Sequence, residues 1–301
     1  MRRLLLTTCL AAVLPAMPLW AAGVDLPALQ ITTPSGESSI LLETMHQGDA
    51  RVPLPSRAIV EQAVRVILES DIGARPLPRH TQGPPADSSQ RITMDSILDE
   101  REKTSLRARV RCRLPADSSP AEIEAITALA FTGPLRVTAD FTALCPTHGQ
   151  PSVERWLVEA ASTRRVPLDG LEGVMDSTVQ RSSLPDTIFV SGVHRVLAEG
   201  EEIFSRLTAY INAGNYEGVC NLARESFASP SDAALFERRM VTERNALWMP
   251  LLEQYLEDGQ AVIAVGAAHL CGVNGLPALL TSKGYQVESI RIPAVANLSV
   301  P

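Results

Sequence analysis

The stretch AVIAVGAAHLCGVNG, from Ala261 to Gly275, decides the fold of this chain. It begins with an apolar run, and glycine and asparagine follow where a turn is expected. An apolar run of this length between turn-forming residues is typical of a strand buried on both faces of a sheet. His269 comes just after that strand, where α/β proteins commonly bind ligands. The stretch therefore predicts an α/β fold with a candidate functional histidine at one edge of its sheet.

A second segment, near the N-terminus, repeats this order of features. SILLETM precedes His46, and then come a turn, Pro55, a helix and the strand-like segment VRVILESD. In the later segment Pro277, a helix and YQVESI follow His269 in the same way. Two such β-His-α-β units predict a pseudo-symmetric sheet that carries both histidines at the same edge. The alternative is a chance similarity between two strand-helix-strand units.

Composition and length indicate a globular protein. The chain has 301 residues, of which 45% are hydrophobic and 20% charged, so it can bury a sizeable core. The formal charge of −7 and the scarcity of aromatic residues disfavour binding to nucleic acid or to an anionic membrane. We predict an α/β fold with a central mixed, mostly parallel sheet and a largely helical middle insertion at about residues 94–165, in one domain over residues 23–301.

The first 22 residues have the pattern of a cleaved signal peptide. Arg2 and Arg3 precede an apolar segment, and the small residues Ala21 and Ala22 follow it. Two prolines interrupt the segment, whereas a membrane span needs ~20 continuous apolar residues. We therefore predict export to the periplasm or secretion, with no stable membrane span after cleavage.

Four cysteines remain after that leader: Cys112, Cys145, Cys220 and Cys271. An even number in an oxidising compartment indicates disulfide bonds, and three pairings are possible. We favour a bond between Cys112 and Cys145, because these two residues bracket one polar helical segment. The spacing CxxC is absent, which argues against a zinc site made of cysteines.

Two histidines and several carboxylates at the ends of strands form a plausible divalent-metal site. Imidazole and carboxylate ligands suit zinc, manganese, iron or cobalt. A metal ion there would activate water for hydrolysis. The alternative is a pair of structural histidines whose hydrogen bonds are satisfied inside the fold.

Several motifs together resemble the bacterial TraB/GumN family, which is related to the TIKI membrane metalloproteases. That family has two GxxH motifs, a GLE segment between them, and a helix with ERN or RN before the second GxxH. Here the second GxxH motif is intact in VGAAHLCG, and the helix carries Glu243-Arg244-Asn245. The segment from Trp156 to Pro185 contains GLE, and SILLETMHQGD resembles the first GxxH region. The resemblance extends over roughly Gly36 to Glu288, and its specificity comes from the order and spacing of the motifs.

The resemblance implies roles for individual residues. His46 and His269 would be metal ligands, and Glu69 and Glu172 would be carboxylate ligands or a general base. Arg244 would bind a substrate carboxylate or stabilise an oxyanion. Asn245 would orient a neighbouring group by hydrogen bonding. The metal would be zinc, manganese or cobalt, and the substrate a peptide or a small molecule.

One residue departs from the family pattern. The first motif is Glu43-Thr44-Met45-His46, with glutamate in place of glycine. Glycine permits a tight turn and the close approach of a ligand, whereas glutamate brings a charge. Glu43 could therefore be an added ligand or base, or it could block the site.

We therefore expect an exported metal-dependent hydrolase, with peptidase as the expected subclass. The alternative is a periplasmic binding or assembly protein that keeps the fold but has lost catalysis through Glu43. The motifs HExxH, GxSxG, the P-loop and GxGxxG are absent, which disfavours zincins, α/β-hydrolases, P-loop NTPases and Rossmann dehydrogenases. The oligomeric state stays open.

Overall fold

The computed structural model describes residues 24–71, 91–115, 117–145, 150–173 and 176–295. The predicted leader at residues 1–22 lies outside these ranges. The strands are β1 (Asp25–Thr32), β2 (Ser38–Thr44), β3 (Leu54–Pro55), β4 (Arg65–Asp71), β5 (Leu168–Gly173), β6 (Ala261–Gly266) and β7 (Gln286–Val295).

Helices make up most of the remaining described chain. They are α1 (Arg57–Glu61), α2 (Met94–Ile97), α3 (Glu100–Arg113), α4 (Pro120–Thr132), α5 (Leu135–Thr138), α6 (Val153–Arg164), α7 (Asp176–Ser182), α8 (Val190–Ala213), α9 (Tyr216–Arg224), α10 (Pro230–Glu237), α11 (Glu243–Asp258) and α12 (Leu276–Ser282). Short 3₁₀ turns lie at Ala139–Thr142, Asp186–Phe189 and Ala267–Leu270, and a π-helical turn spans Arg238–Thr242.

The seven strands form one mixed sheet in the order β3-β7-β1-β2-β6-β4-β5. Strands β2, β6, β4 and β5 are parallel neighbours, whereas β1 is antiparallel to both β2 and β7. All six residues of β6 are buried, which confirms the prediction of a strand covered on both faces. Because β2 and β6 are parallel and adjacent, the histidines that follow them lie at the same edge of the sheet, as predicted.

The two β-His-α-β units differ in where their last strand pairs. The first returns to β4, which pairs directly with β6. The second leads to β7, which pairs with β1 and is therefore separated from β6 by β1 and β2. The two crossovers therefore run to opposite sides of the β2–β6 pair, and the antiparallel strand β1 makes the sheet mixed.

Apolar side chains cover both faces of the sheet. One core cluster contains Leu42 and Val262 and packs against α1 and α6; the other contains Leu41 and Ile263 and packs against α11 and α12. Successive residues of a strand point to opposite faces, so these two clusters lie on opposite sides of the sheet. A third cluster joins helices of the middle region to α8 and to the turns beside it.

Side-chain caps set two of the helix boundaries. Asp99 separates α3 from α2 by accepting a hydrogen bond from the Glu102 amide. A similar cap precedes α10. Its cap is Ser229, whose hydroxyl accepts from the Asp232 amide. In both cases the cap residue lies three positions before the donor. Its side-chain oxygen accepts a hydrogen bond from a backbone N–H of the first turn, which has no partner within the helix.

The cysteines form two pairs within the described chain. Cys112 lies beside Cys145 and Cys220 beside Cys271, with Cα–Cα distances of 5.6 and 6.5 Å. Both distances fall within the range of disulfides, about 4.4–6.8 Å. The predicted pairing of Cys112 with Cys145 is therefore confirmed, and the second pair connects α9 to the segment just after His269.

Across the described ranges, every helix lacks either the length or the apolar character that crossing a bilayer requires.

Candidate functional site

His46 follows the end of β2 and faces two carboxylates. Its backbone φ is 57°, in the left-handed region that non-glycine residues adopt uncommonly. The ring Nδ1 lies 2.7 Å from Glu154 Oε1 and Nε2 lies 3.4 Å from Glu69 Oε2. The side chain is 56% exposed. His46 is therefore the solvent-facing member of the site.

His269 is held at the back of the site by Asn245. The Asn245 side-chain amide donates to the backbone oxygens of Asn274 and His269, at 2.8 and 3.3 Å. Its Oδ1 lies 2.6 Å from His269 Nδ1. Because an amide oxygen only accepts, His269 Nδ1 must carry the proton. The lone pair of His269 is then on Nε2, which faces Glu69 at 3.8 Å.

Glu69 on β4 lies between the two histidines. Its Oε2 accepts a hydrogen bond of 2.8 Å from the Gly266 amide at the end of β6. Its Oε1 accepts from Arg244 Nη2. A Cβ on Gly266 would lie 2.7 Å from His46 Nε2 and 3.1 Å from Glu69 Oε2. The absence of a side chain at Gly266 is what permits His46 and Glu69 to approach this strand end.

Arg244 and Glu172 form a buried ion pair beneath Glu69. Arg244 donates through Nε and Nη2 to the two oxygens of Glu172, at 3.0 and 2.5 Å. Glu172 Oε2 also accepts from Trp248 Nε1 at 3.0 Å. Such bidentate pairing fixes both side chains firmly. The carboxylate of Glu172, on β5, is thus fully engaged by α11.

The guanidinium of Arg244 also reaches the neighbouring turn and His269. Nη1 donates to Met240 O at 2.9 Å, in the π-helical turn that precedes α11, and lies 3.2 Å from His269 Nε2. The Trp248 ring packs beside His269, with ring centroids 4.4 Å apart. π-helical turns occur often at functional sites, and here the turn supplies an acceptor for Arg244.

Glu43 lies apart from this hydrogen-bonded cluster. It pairs with Val265 in the β2–β6 register and is only 3% exposed. Neither of its carboxyl oxygens has a hydrogen-bond partner among the described residues. Burial and the negative charge of ionised Glu43 both raise the pKa of the Tyr216 phenol, so Tyr216 lies within electrostatic reach of Glu43.

The local environment separates the protonation states of the two histidines. Burial lowers the pKa of His269 to about 3, so its imidazole is neutral. Partial desolvation by the surrounding protein also opposes charge on His46, but the hydrogen bond to Glu154 and the charges of Glu69 and Glu154 outweigh it and raise the pKa of His46 to about 9. The site thus contains one neutral imidazole and one imidazolium.

The local environment also separates the protonation states of the Glu69 and Glu43 carboxyl groups. Burial alone would raise the pKa of Glu69, but His269, His46 and Arg244 lower it. Burial without any hydrogen-bond partner raises the pKa of Glu43 to about 8. Glu69 is therefore a carboxylate at neutral pH, whereas Glu43 is mostly a neutral acid.

A pocket leads from solvent to His46 and Glu69. Its volume is about 370 Å³, and its walls include Leu68, Ser70, Glu154 and Val158. This volume lies within the range of small-molecule sites, about 300–1,000 Å³. The pocket gives solvent and small molecules access to the exposed side of the cluster.

The cluster is not a ready-made metal site. Within the described ranges, no group of three or more His, Cys, Asp or Glu side chains is arranged to hold a metal ion. The chemistry of the donors nevertheless fits a divalent cation. His269 offers a neutral nitrogen, Glu69 a carboxylate oxygen, and His46 a nitrogen that becomes available once its proton leaves.

Six of the seven predicted site residues lie in one network of hydrogen bonds and ion pairs, which leaves out only Glu43. They are His46, Glu69, Glu172, Arg244, Asn245 and His269. Two further members of this network, Glu154 and Trp248, are not predicted from the sequence. Trp248 lies four residues after Arg244, so the helical period places both on one face. Glu154 carries no comparable signal, because only the tertiary packing of α6 against the edge of the sheet brings it to His46.

The sheet, its two histidines and the buried Arg–Glu pair agree with the resemblance found in the sequence. The profile of the TraB/PrgY/gumN family matches residues 28–289. The chain therefore belongs to the TraB/PrgY/gumN family.

A comparison with a curated protein agrees with this assignment. The chain is 22% identical over 272 residues to the uncharacterized protein YbaP of Shigella flexneri, a match that covers 87% of this chain and 96% of that protein. No solved structure matches the chain.

Proposed function

We propose that this protein is an exported, metal-dependent hydrolase that acts on a peptide or a similar carbonyl substrate. The observation that carries the proposal is the orientation of the two histidines. Each has its Nδ1 next to an oxygen acceptor and its Nε2 directed toward Glu69. Oxygen acceptors behind histidine ligands are the usual outer shell of protein metal sites.

Two of the three separations between these donor atoms are close to those expected around a tetrahedral ion. His46 Nε2 and His269 Nε2 lie 3.4 and 3.8 Å from Glu69 Oε2. Ligands about 2.0–2.2 Å from a tetrahedral zinc ion are about 3.4 Å apart. We therefore assign metal binding to His46, Glu69 and His269. A bound divalent ion would supply Lewis acidity and lower the pKa of a water molecule.

The remaining residues would position the metal ligands and stabilise negative charge on the substrate. We assign Glu172 to holding Arg244, because both Glu172 oxygens accept hydrogen bonds from α11. Arg244 would keep Glu69 aligned and offer positive charge beside His269 as negative charge develops on the substrate carbonyl. Asn245 would keep the proton of His269 on Nδ1. Glu154 would do the same for His46 once that ring is neutral.

Export is supported by the cysteine pairs. Two pairs at disulfide distance are typical of proteins in oxidising compartments. The pattern of residues 1–22 supports the same location.

A second candidate function is a binding or assembly protein that has lost catalysis. It is favoured by the hydrogen bonding of Arg244, which saturates Glu172 and also contacts Glu69 and His269. It is favoured also by Glu43, which replaces the glycine of the family's first motif and is buried without a partner.

Hydrolysis assays distinguish the two functions. The purified mature protein is incubated with Zn²⁺, Mn²⁺ or Co²⁺ and a mixed peptide library, and the products are identified by mass spectrometry. We expect cleavage by the wild type and none by His269→Ala. Loss of an existing activity in Glu43→Ala assigns that residue a catalytic role. An inactive wild type together with an active Glu43→Gly variant would support the degenerate protein and reject the hydrolase.

A further inference from the structure

A second cavity lies among the helices, in a part of the fold that the metal-site residues do not line. It has a volume of about 300 Å³ and is bounded by α8, the two 3₁₀ turns at Ala139–Thr142 and Asp186–Phe189, and the segment that follows α9. No residue of the candidate metal site is among those that line it within the described ranges.

Phenylalanine is concentrated around this cavity. The chain has 6 phenylalanines, and Phe189, Phe204, Phe227 and Phe236 all line the cavity. The rings of Phe227 and Phe236 are 5.1 Å apart, and those of Phe189 and Phe236 are 6.1 Å apart. In a chain with few aromatic residues, such a wall indicates a surface suited to an apolar ligand.

One cationic group borders this aromatic wall. Arg181 lies over the Phe189 ring, with its guanidinium carbon 5.0 Å from the ring centroid. Its Nε donates to the Arg136 backbone oxygen, and its Nη2 forms an ion pair of 3.0 Å with Asp140, which also lines the cavity. The Asp140 side chain is 72% exposed and that of Arg181 only 22%. The arginine is therefore the more enclosed charge, and the aspartate is the more solvated one.

An anionic ligand can replace Asp140 as the partner of Arg181 with only a small loss of free energy. An ion pair whose acidic partner is exposed to solvent contributes little stability, and Asp140 can be rehydrated where it stands. A carboxylate can accept two N–H bonds from a guanidinium, and its apolar tail would then cover the phenylalanine rings.

We propose that this cavity binds a small amphipathic carboxylate, with its acid group on Arg181 and an aromatic or acyl tail against the four phenylalanines. A volume of 300 Å³ accommodates about ten non-hydrogen atoms, because a water-sized group occupies about 30 Å³. The site is independent of the proposed metal centre and does not require the hydrolase function.

Calorimetric titration with 3-phenylpropanoate tests this proposal on the mature, disulfide-bonded protein. Its neutral isostere 3-phenylpropanamide serves as the paired probe. We expect saturable binding of one equivalent of the acid. Arg181→Gln should weaken binding of the acid about tenfold, the value of one charge-assisted hydrogen bond, and leave binding of the amide unchanged.

Filling the cavity provides a second test that leaves the charge in place. Gly192 lines the cavity on α8, so Gly192→Leu should abolish binding of both probes, whereas Gly192→Ala should retain it. Thermal unfolding followed by circular dichroism confirms that each variant is folded. His46→Ala should bind the acid like the wild type. Absence of saturable binding to the wild type, or unchanged binding to folded Gly192→Leu, would overturn the proposal.

Discussion

Glu43 is the residue whose chemistry is least expected from its position in the fold. It occupies a buried strand site beside Val265, and both oxygens lack a hydrogen-bond partner in the described chain. A buried carboxylate without partners is costly, so the group retains its proton instead. The departure from glycine therefore adds a neutral acid near Tyr216 rather than a charge in the hydrogen-bonded cluster around Glu69.

This protonation predicts how stability depends on pH. The folded protein keeps the Glu43 proton up to pH about 8, whereas the unfolded chain loses it near the ordinary value of 4.5. Between these values the folded state binds more protons, so the free energy of unfolding decreases as the pH rises. Glu43→Gln should stabilise the protein at pH 8.5 by a few kcal/mol, on the order of 1.4 kcal/mol per unit of pKa shift, and flatten the pH dependence.

Urea unfolding at several pH values measures this effect. Glu124→Gln is the matched control, because Glu124 is exposed on α4. If Glu43→Gln and Glu124→Gln change the pH profile equally, Glu43 is not a buried neutral acid.

At the scale of elements, the site depends on how closely the ends of β2, β4 and β6 approach one another. Gly266 makes this approach possible, because a side chain there would collide with His46 Nε2 and crowd Glu69 Oε2. Parallel pairing of β6 with both other strands brings these residues to one edge. Strand ends, rather than loops, therefore determine the geometry of the site.

We predict that Gly266→Ala displaces His46 without unfolding the protein. The added Cβ would lie 2.7 Å from His46 Nε2, so the ring must move away from Glu69. Divalent-metal affinity should fall at least tenfold, because changes even to the groups that orient metal ligands typically cost about 10–100-fold. Metal titration measures the affinity, and Gly192→Ala on α8 is the control for a glycine-to-alanine change. Equal affinities in both variants would contradict this role for Gly266.

Local sequence patterns predicted these strand ends and failed to predict the contacts between distant elements. An apolar run followed by a turn identified β6 and His269, and its resemblance to the earlier segment identified β2 and His46. The ion pair of Glu172 with Arg244 joins residues separated by 72 positions. No local period encodes such a contact, and the roles of both residues came from the family resemblance instead. Glu154 has neither kind of signal and was missed.

At the scale of the whole molecule, the sheet joins segments from both ends of the chain. Strand β7 lies between β3 and β1, and its pairing with β1, which comes from the opposite end of the chain, has no local sequence signal. The cysteine pairs add constraints between helices, since Cys112 and Cys145 connect α3 to the segment after the Ala139–Thr142 turn, and Cys220 and Cys271 connect α9 to the segment after His269.

We predict that both disulfides stabilise the fold. Their residues are separated by 33 and 51 positions, and closing loops of such length contributes about 4 kcal/mol each in the chain-entropy description. Replacing either pair by serine should lower the midpoint of urea unfolding, and thiol titration of the unfolded wild type should detect no free thiol in the mature chain. Free thiols in the oxidised protein, or unchanged midpoints in both variants, would contradict the prediction.

The central claim is that His46, Glu69 and His269 together bind one divalent metal ion, and stoichiometric metal titration tests it most directly. The mature protein is stripped of metal, titrated with Zn²⁺ and checked by elemental analysis beside His46→Ala and His269→Ala. The matched control is His194→Ala, because His194 also contacts a carboxylate, Glu102. We predict one equivalent of zinc in the wild type and in His194→Ala, and much weaker binding in the two site variants. Equal, substoichiometric metal in all four proteins would contradict the claim.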